Sequence, residues 1–480
     1  MILDLDTRAD LTLDLYRRVA WEGAGLRFTK GAMARMEQAR ASFMKLIEDP
    51  ELVIYGVTSG YGQHAKLRFE GEARLKHARI PPFPTTAPFG KAAPERVARG
   101  IVLARLANFI DGHAAATPGL AVEVANLLNG GKLPEVSLEG QGGAGEILWM
   151  GPLIIAIAER FPLAEKDALS LINGSPAASA LIADAAIAMR RRLDLAERVM
   201  ALSAEAIKAP LEAYDPAFED LWEDAYEAAS LRRLRALLSG GGAERRPYQA
   251  PVSYRILPRV LGQFRRVIAQ AEEIAASSLR SVTDNPVFLA PDATHPKGRV
   301  FSNGGYHNAR AYPALDNLAA AAADLCAIAE RHTTKLLDGR YSLLPDQLQD
   351  DNGYQGYLGV LGFVQVGYAE QARRAAQRTF LPGSEGGGFG QNDVAPLTGL
   401  AWMGQEEAGR CLDAALAMLG AVASQAFHVT KRSAPPALAE LLEEIRASFP
   451  PLDAPRTYAP GLNALAEKFR AEIYKGSSST

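Results

Sequence analysis

Three segments of this chain repeat apolar residues at three- and four-residue spacing for more than twenty residues each: Ile182–Ala209, Tyr312–Leu337 and Glu407–Phe427. Helices of that length, with few alternating β-branched runs to compete, leave a sheet-based fold little room. The sequence therefore reads as mainly α, with a bundle of long helices at its centre. Val53–Val57 and Arg299–Phe301 read as short strands, and Arg190-Arg191-Arg192 as a basic helix face. Residues 1–120 are more irregular and form an N-terminal region, with an extended connector at Pro81-Pro82-Phe83-Pro84. Residues 121–475 form the helical-bundle domain, broken at Ser239–Gly242 and Gly383–Gly390, and 476–480 a disordered tail. Apolar stripes this long cannot all be covered within one chain, so a homo-oligomer is expected.

The 480 residues allow a large core, and a net charge of −3 with 22% charged residues gives no reason to invoke nucleic acid or an anionic membrane. Cys326 and Cys411, both in helix-like apolar surroundings, build neither a disulfide framework nor a zinc spacing, which fits a reducing cytoplasm. Neither a metal nor a cofactor is expected. Acids interrupt the apolar residues of Met1–Asp10, so this is not read as a signal peptide. The longest apolar run, Trp149–Ala158, is about half of what a bilayer requires. A soluble, cytoplasmic protein is expected.

Chemistry-bearing residues cluster in polar, glycine-marked stretches. The densest is Val136–Leu153, with glycine at 140, 142, 143, 145 and 151 and an apolar run behind it. Such a loop brings backbone close to a ligand and aims bare N–H groups from a helix start. Tyr55-Gly-Val-Thr-Ser-Gly-Tyr-Gly62 presents two phenols, and Leu171-Ile-Asn-Gly-Ser175 sets an amide beside a glycine. Gln249–Pro258 places Arg255 between apolar neighbours. Ser281-Val-Thr-Asp-Asn-Pro286, Ser302-Asn-Gly-Gly-Tyr-His307 and Gln391-Asn-Asp-Val394 are polar turns. Singly, each is an ordinary turn or a solvated arginine.

In this order they resemble the histidine and aromatic amino-acid ammonia-lyase family over nearly the whole chain. The Tyr55 loop is similar to that family's YGxxTGFG, Asn173-Gly174 to LxNGT, and Gln249–Gly262 to QDxYSxRCxPQVxG. Ser281–Pro286 matches SVTDNP outright, while Ser302–His307 resembles SGGNFHG and Gln391–Val394 resembles NQEDHV. The resemblance implies an α-helical homotetramer whose active sites are built from three subunits. It implies Tyr55 as the catalytic base, Arg255 as the carboxylate clamp, and Asn173 as a residue that orients the substrate. It also brings in His77 near the ring end of the substrate, Asn392 where the family has Glu or Gln, and Tyr61 in place of a phenylalanine.

One departure changes the chemistry. Where the family's Ala-Ser-Gly becomes a methylidene-imidazolone electrophile, this chain reads Gly143-Ala144-Gly145, and an alanine methyl has no hydroxyl to lose. Without the electrophile, elimination needs a better leaving group, such as the trimethylammonium of a histidine-type betaine; conjugate addition or cyclisation is also open. A second family tyrosine has become Val252, Glu146 replaces an aspartate and is expected to cap the helix that follows it, and Asn303 and Tyr306 receive no role. The expected function is acid–base catalysis on a small carboxylate. The alternatives are a non-catalytic subunit that assembles with an active paralogue, or cyclisation of Gly143-Ala144-Gly145 without the alkene, marked by loss of one water from the intact mass. Tyr55, Tyr61, Phe389 and Trp149 are the aromatic residues available to hold a quaternary cation.

Overall fold

The computed structural model describes residues 1–143, 145–349, 357–383 and 390–476, with the Gln63 side chain set aside. Ala144, Phe389 and 477–480 lie outside the described residues. Five long helices carry the architecture: α1 (Pro176–Ala206), α2 (Leu257–Arg280), α3 (Ala311–Leu337), α4 (Val360–Ala375) and α5 (Thr398–Thr430). Every residue of α5 from Cys411 to Phe427 is buried, so this helix is the axis of the bundle. Its alanines and glycines let neighbours approach closely, and α3, α1 and α4 pack around it. Two helical stretches, Asp167–Ala206 and Thr398–Thr430, have the length and hydropathy of a membrane span, but 89% and 83% of their most apolar windows are buried inside the protein. They are core helices.

The long helices occur where the apolar periodicity places them, with α1 and α5 starting earlier than that pattern alone indicates. Pro176 sits in the first turn of α1 and Pro258 in that of α2, where no N–H is required. α1 and α2 run antiparallel: Ser179 Oγ donates to the Ser278 carbonyl at one end, and Ser203 Oγ meets Tyr254 Oη at 3.3 Å at the other. The expected basic face is closed in three different ways. Arg190 pairs with Glu272, Arg191 donates to the carbonyls of Ile473 and Lys475, and buried Arg192 pairs with Asp413 of α5.

Of the expected strands, β4 (Arg299–Phe301) forms and pairs antiparallel with β3 (Val287–Leu289). Val53–Val57 is a turn instead, because the Ile54 carbonyl collects the amides of Val57, Thr58 and Ser59, each at 3.1 Å. An additional parallel pair, β1 (Ile2–Leu5) with β2 (Gly25–Phe28), ties down the N-terminus. A continuous hydrophobic cluster runs from Leu5 to Ile473. Apolar side chains remain uncovered on α4 and nearby, with Phe363 79% and Phe380 76% exposed.

Candidate active site

A cavity of about 220 Å³ opens where the Tyr55 loop, the glycine-rich stretch, the start of α1 and the turns at Asn285 and Ser302 converge. Tyr55, Tyr61, Asn173, Gly145 and Asn392 all line it, so five residues singled out from four separate stretches of sequence share one cleft. The Tyr55 loop is closed on itself by the Gly62 amide, which donates to Tyr55 Oη at 2.9 Å. That donor is aimed at the atom that becomes negative when a phenol gives up its proton. Burial, followed by the proximity of Tyr55, raises Tyr61 above the ordinary phenol value.

Asn173 is set by a scaffold of buried polar bonds. Its amide nitrogen donates to the Asn285 carbonyl, and its own carbonyl accepts from buried Arg105. Gly174 follows at φ +123°, and a Cβ there would stand 2.5 Å from Arg105 Nη2 and 2.8 Å from Thr283 Oγ1. Only glycine gives both that conformation and that closeness. The Ser281–Pro286 motif supplies the rest: Thr283 Oγ1 accepts from the Ser175 amide, and Asp284 pairs at 2.5 Å with Lys166, both side chains fully buried. Burial pushes the Lys166 ammonium down and the Asp284 carboxyl up, each against the attraction of the other. Asn303, unassigned from sequence, fastens the same turn by donating to the Asp284 carbonyl and accepting from the Gly305 amide.

Glu146 lines the cleft and is 3% exposed, but it does not cap the helix that follows it. Its Oε2 and Oε1 accept from the amides of Ala177 and Ala178 at 2.6 and 2.8 Å, so the carboxyl group caps α1, thirty residues further on. Burial outweighs these amides and the nearby Arg105 and pushes its carboxyl up to about 8. Arg105, wholly buried beneath the floor, is brought down to about 10 by the same desolvation. The glycine-rich stretch thus joins the cleft to the N-terminus of the core helix.

Two expected residues lie outside this lining. His77 stacks on Phe69 at 4.4 Å and meets Tyr61 at 5.2 Å, so it backs Tyr61; burial, then the nearby His64, holds it below the usual histidine value. Arg255 is half-buried, with Nε donating to the Ala250 carbonyl. Its neighbour Tyr254 meets Ser203, whereas the cleft sits at Ala177; along α1 that separation is about 39 Å at ~1.5 Å per residue. Trp149 is buried against Gly399 and does not line the cleft.

Tyr306, to which the sequence assigned no role, does line it, along with Ser302, Asn285 and Gln391. An aromatic residue directly after the glycine pair Gly304-Gly305 was the available signal. Among the described residues, the lining has no lysine, arginine or histidine, and Glu146 is its only carboxyl.

The aromatic amino acid lyase family model matches residues 11–158 and 152–447. Histidine ammonia-lyase from Streptomyces avermitilis is 30% identical over 393 residues, 75% of each chain. That of Symbiobacterium thermophilum is 27% identical over 494 residues, 96% of this chain and 95% of the relative. Among solved structures, ergothionase from Treponema denticola, an ergothioneine-degrading enzyme, is similar in fold with a TM-score of 0.90 at 17% identity, over 99% of this chain and 100% of that one. Histidine ammonia-lyase from Trypanosoma cruzi gives 0.86 at 21% identity, over 99% and 95%. The chain has the mainly helical ammonia-lyase fold, and it belongs to the aromatic amino acid lyase family.

Proposed function

We propose that this protein is a carbon–nitrogen lyase that works without a methylidene-imidazolone electrophile, on a small carboxylate bearing a trimethylammonium group of the histidine-betaine type. The observation that carries this reading is the cleft wall: among the described residues it presents the phenols of Tyr55, Tyr61 and Tyr306, with Tyr55 Oη held by the Gly62 amide, and its one carboxyl, Glu146, is taken up in capping α1, beside the glycine loop that has Ala144 where an electrophile would need serine. Tyr55, as phenolate, removes the proton from the carbon next to the one bearing nitrogen. The C–H electrons become the carbon–carbon double bond, and the C–N electrons leave with neutral trimethylamine. An acrylate, trimethylamine and a proton result, so the leaving group needs no acid. Asn173 orients the substrate, Asn392 and Tyr61 contact it from the cleft wall, and His77 supports Tyr61 from behind. The fold likeness to an ergothioneine-degrading enzyme supports a member of the family acting on such a compound.

The carboxylate needs a cation, and among the described residues the lining offers none. Arg255, at the far end of α1, meets this need from another copy, which makes the working unit a homotetramer with shared sites. The uncovered Phe363 and Phe380 are in keeping with such an assembly. The test is a thermal-shift screen of the purified protein against aromatic amino acids, their trimethylammonium betaines, hydroxy acids and the matching acrylates, with Arg255→Ala alongside. A ligand of the native state raises the melting temperature. A betaine-induced rise that Arg255→Ala abolishes is expected. Silence across the panel would instead support a non-catalytic subunit and direct attention to a partner chain.

A further inference from the structure

Resting on that reading, the cleft also bears on how the cationic end of the substrate is recognised. Among the described residues, its only carboxyl, Glu146, is held protonated by burial and has both oxygens engaged by the Ala177 and Ala178 amides, so none of them offers a free carboxylate to an ammonium. A primary ammonium carries N–H groups that need acceptors, whereas a quaternary one carries none and is held by aromatic faces. Tyr55, Tyr61 and Tyr306 line the cavity. Tyr61 is braced from behind by His77, with ring centroids 5.2 Å apart. Tyr306 lies against Gly145, where a Cβ would come within 3.2 Å of its Cδ2. Tyr306 can pack on the glycine loop because residue 145 has no side chain.

We propose that Tyr306, with Tyr61, forms a quaternary-ammonium subsite, and that Tyr306 sets the preference for a trimethylated over a primary amine. The face of the ring performs this role, and the hydroxyl is dispensable. The test uses the assembled protein in a Tyr55→Phe background, which keeps the ring at position 55 and slows turnover enough for binding to be read. Calorimetric titration compares the trimethylammonium betaine of histidine with histidine itself, for Tyr306 intact, Tyr306→Phe and Tyr306→Leu. Tyr306→Leu should weaken betaine binding about 30-fold, the worth of a desolvated cation–π contact, and leave histidine within about threefold. Tyr306→Phe should retain betaine affinity within about threefold.

Equal losses in Tyr306→Phe and Tyr306→Leu would transfer the role to the hydroxyl and overturn the proposal. So would unchanged betaine affinity in both variants, or losses shared equally by histidine. If the background protein with Tyr306 intact binds no betaine, the functional reading itself fails, a result distinct from betaine binding that ignores Tyr306. Matched circular dichroism and melting temperatures confirm that each variant is folded.

Discussion

Asp284 lies in the stretch that matches its family pattern outright, yet the structure gives it a scaffolding task. The perturbation that exposes this is Asp284→Leu. Asp284 Oδ2 accepts from Lys166 Nζ at 2.5 Å with both side chains fully buried, and its Oδ1 takes the Asn285 amide at 2.9 Å. Removing the acid leaves Lys166 with Ser170 Oγ at 3.3 Å as a hydrogen-bond partner and only the more weakly acting Asp167 as a counter-charge. An uncompensated charge in such a place costs about 3–5 kcal/mol. The double variant Lys166→Met/Asp284→Leu discards both charges at similar volume, and should recover to within about 2 kcal/mol of wild type, because the desolvation of both ions vanishes with their attraction. Urea unfolding followed by far-UV circular dichroism, at one fixed protein concentration, reads both values. A single variant within about 1 kcal/mol of wild type would refute the argument, as would a double variant no better than the single one.

Glu146 provides a pH signature. The folded carboxyl, pushed up to about 8 from an ordinary 4.5, retains a proton that the unfolded chain has already released, so the contribution of this group to stability falls as pH rises from 4.5 to 8. Glu146→Gln should flatten the slope of melting temperature across that window, and an unaltered slope would assign the dependence elsewhere. Tyr55→Phe should lower turnover by roughly 10²–10⁴-fold while sedimentation shows the same assembly as wild type. Activity close to wild type would remove Tyr55 as the base.

Much of the fold was legible because long helices announce themselves locally: an apolar stripe persists for many turns, as in α3 and α5. The gathering of Tyr55, Asn173, Gly145 and Asn392 was legible only through their order along the chain. What escaped was decided by partners distant in sequence. Glu146 looked like a cap for its own helix and caps α1, since the amides that need it belong to Ala177 and Ala178. Arg190, Arg191 and Arg192 looked like one basic face and find partners in three separate segments. Val53–Val57 has strand-like composition, but the turn around the Ile54 carbonyl overrides it. Tyr306 is on a turn whose composition says nothing of the cavity it faces, and only the fold brings it to Gly145.

Elimination driven by a phenol alone can be followed directly. Purified protein is incubated with the trimethylammonium betaine of histidine and followed by proton NMR. A growing trimethylamine singlet is expected, matched in stoichiometry by the olefinic protons of the corresponding acrylate, from protein of unmodified intact mass. An inert betaine together with ammonia release from histidine itself would contradict it.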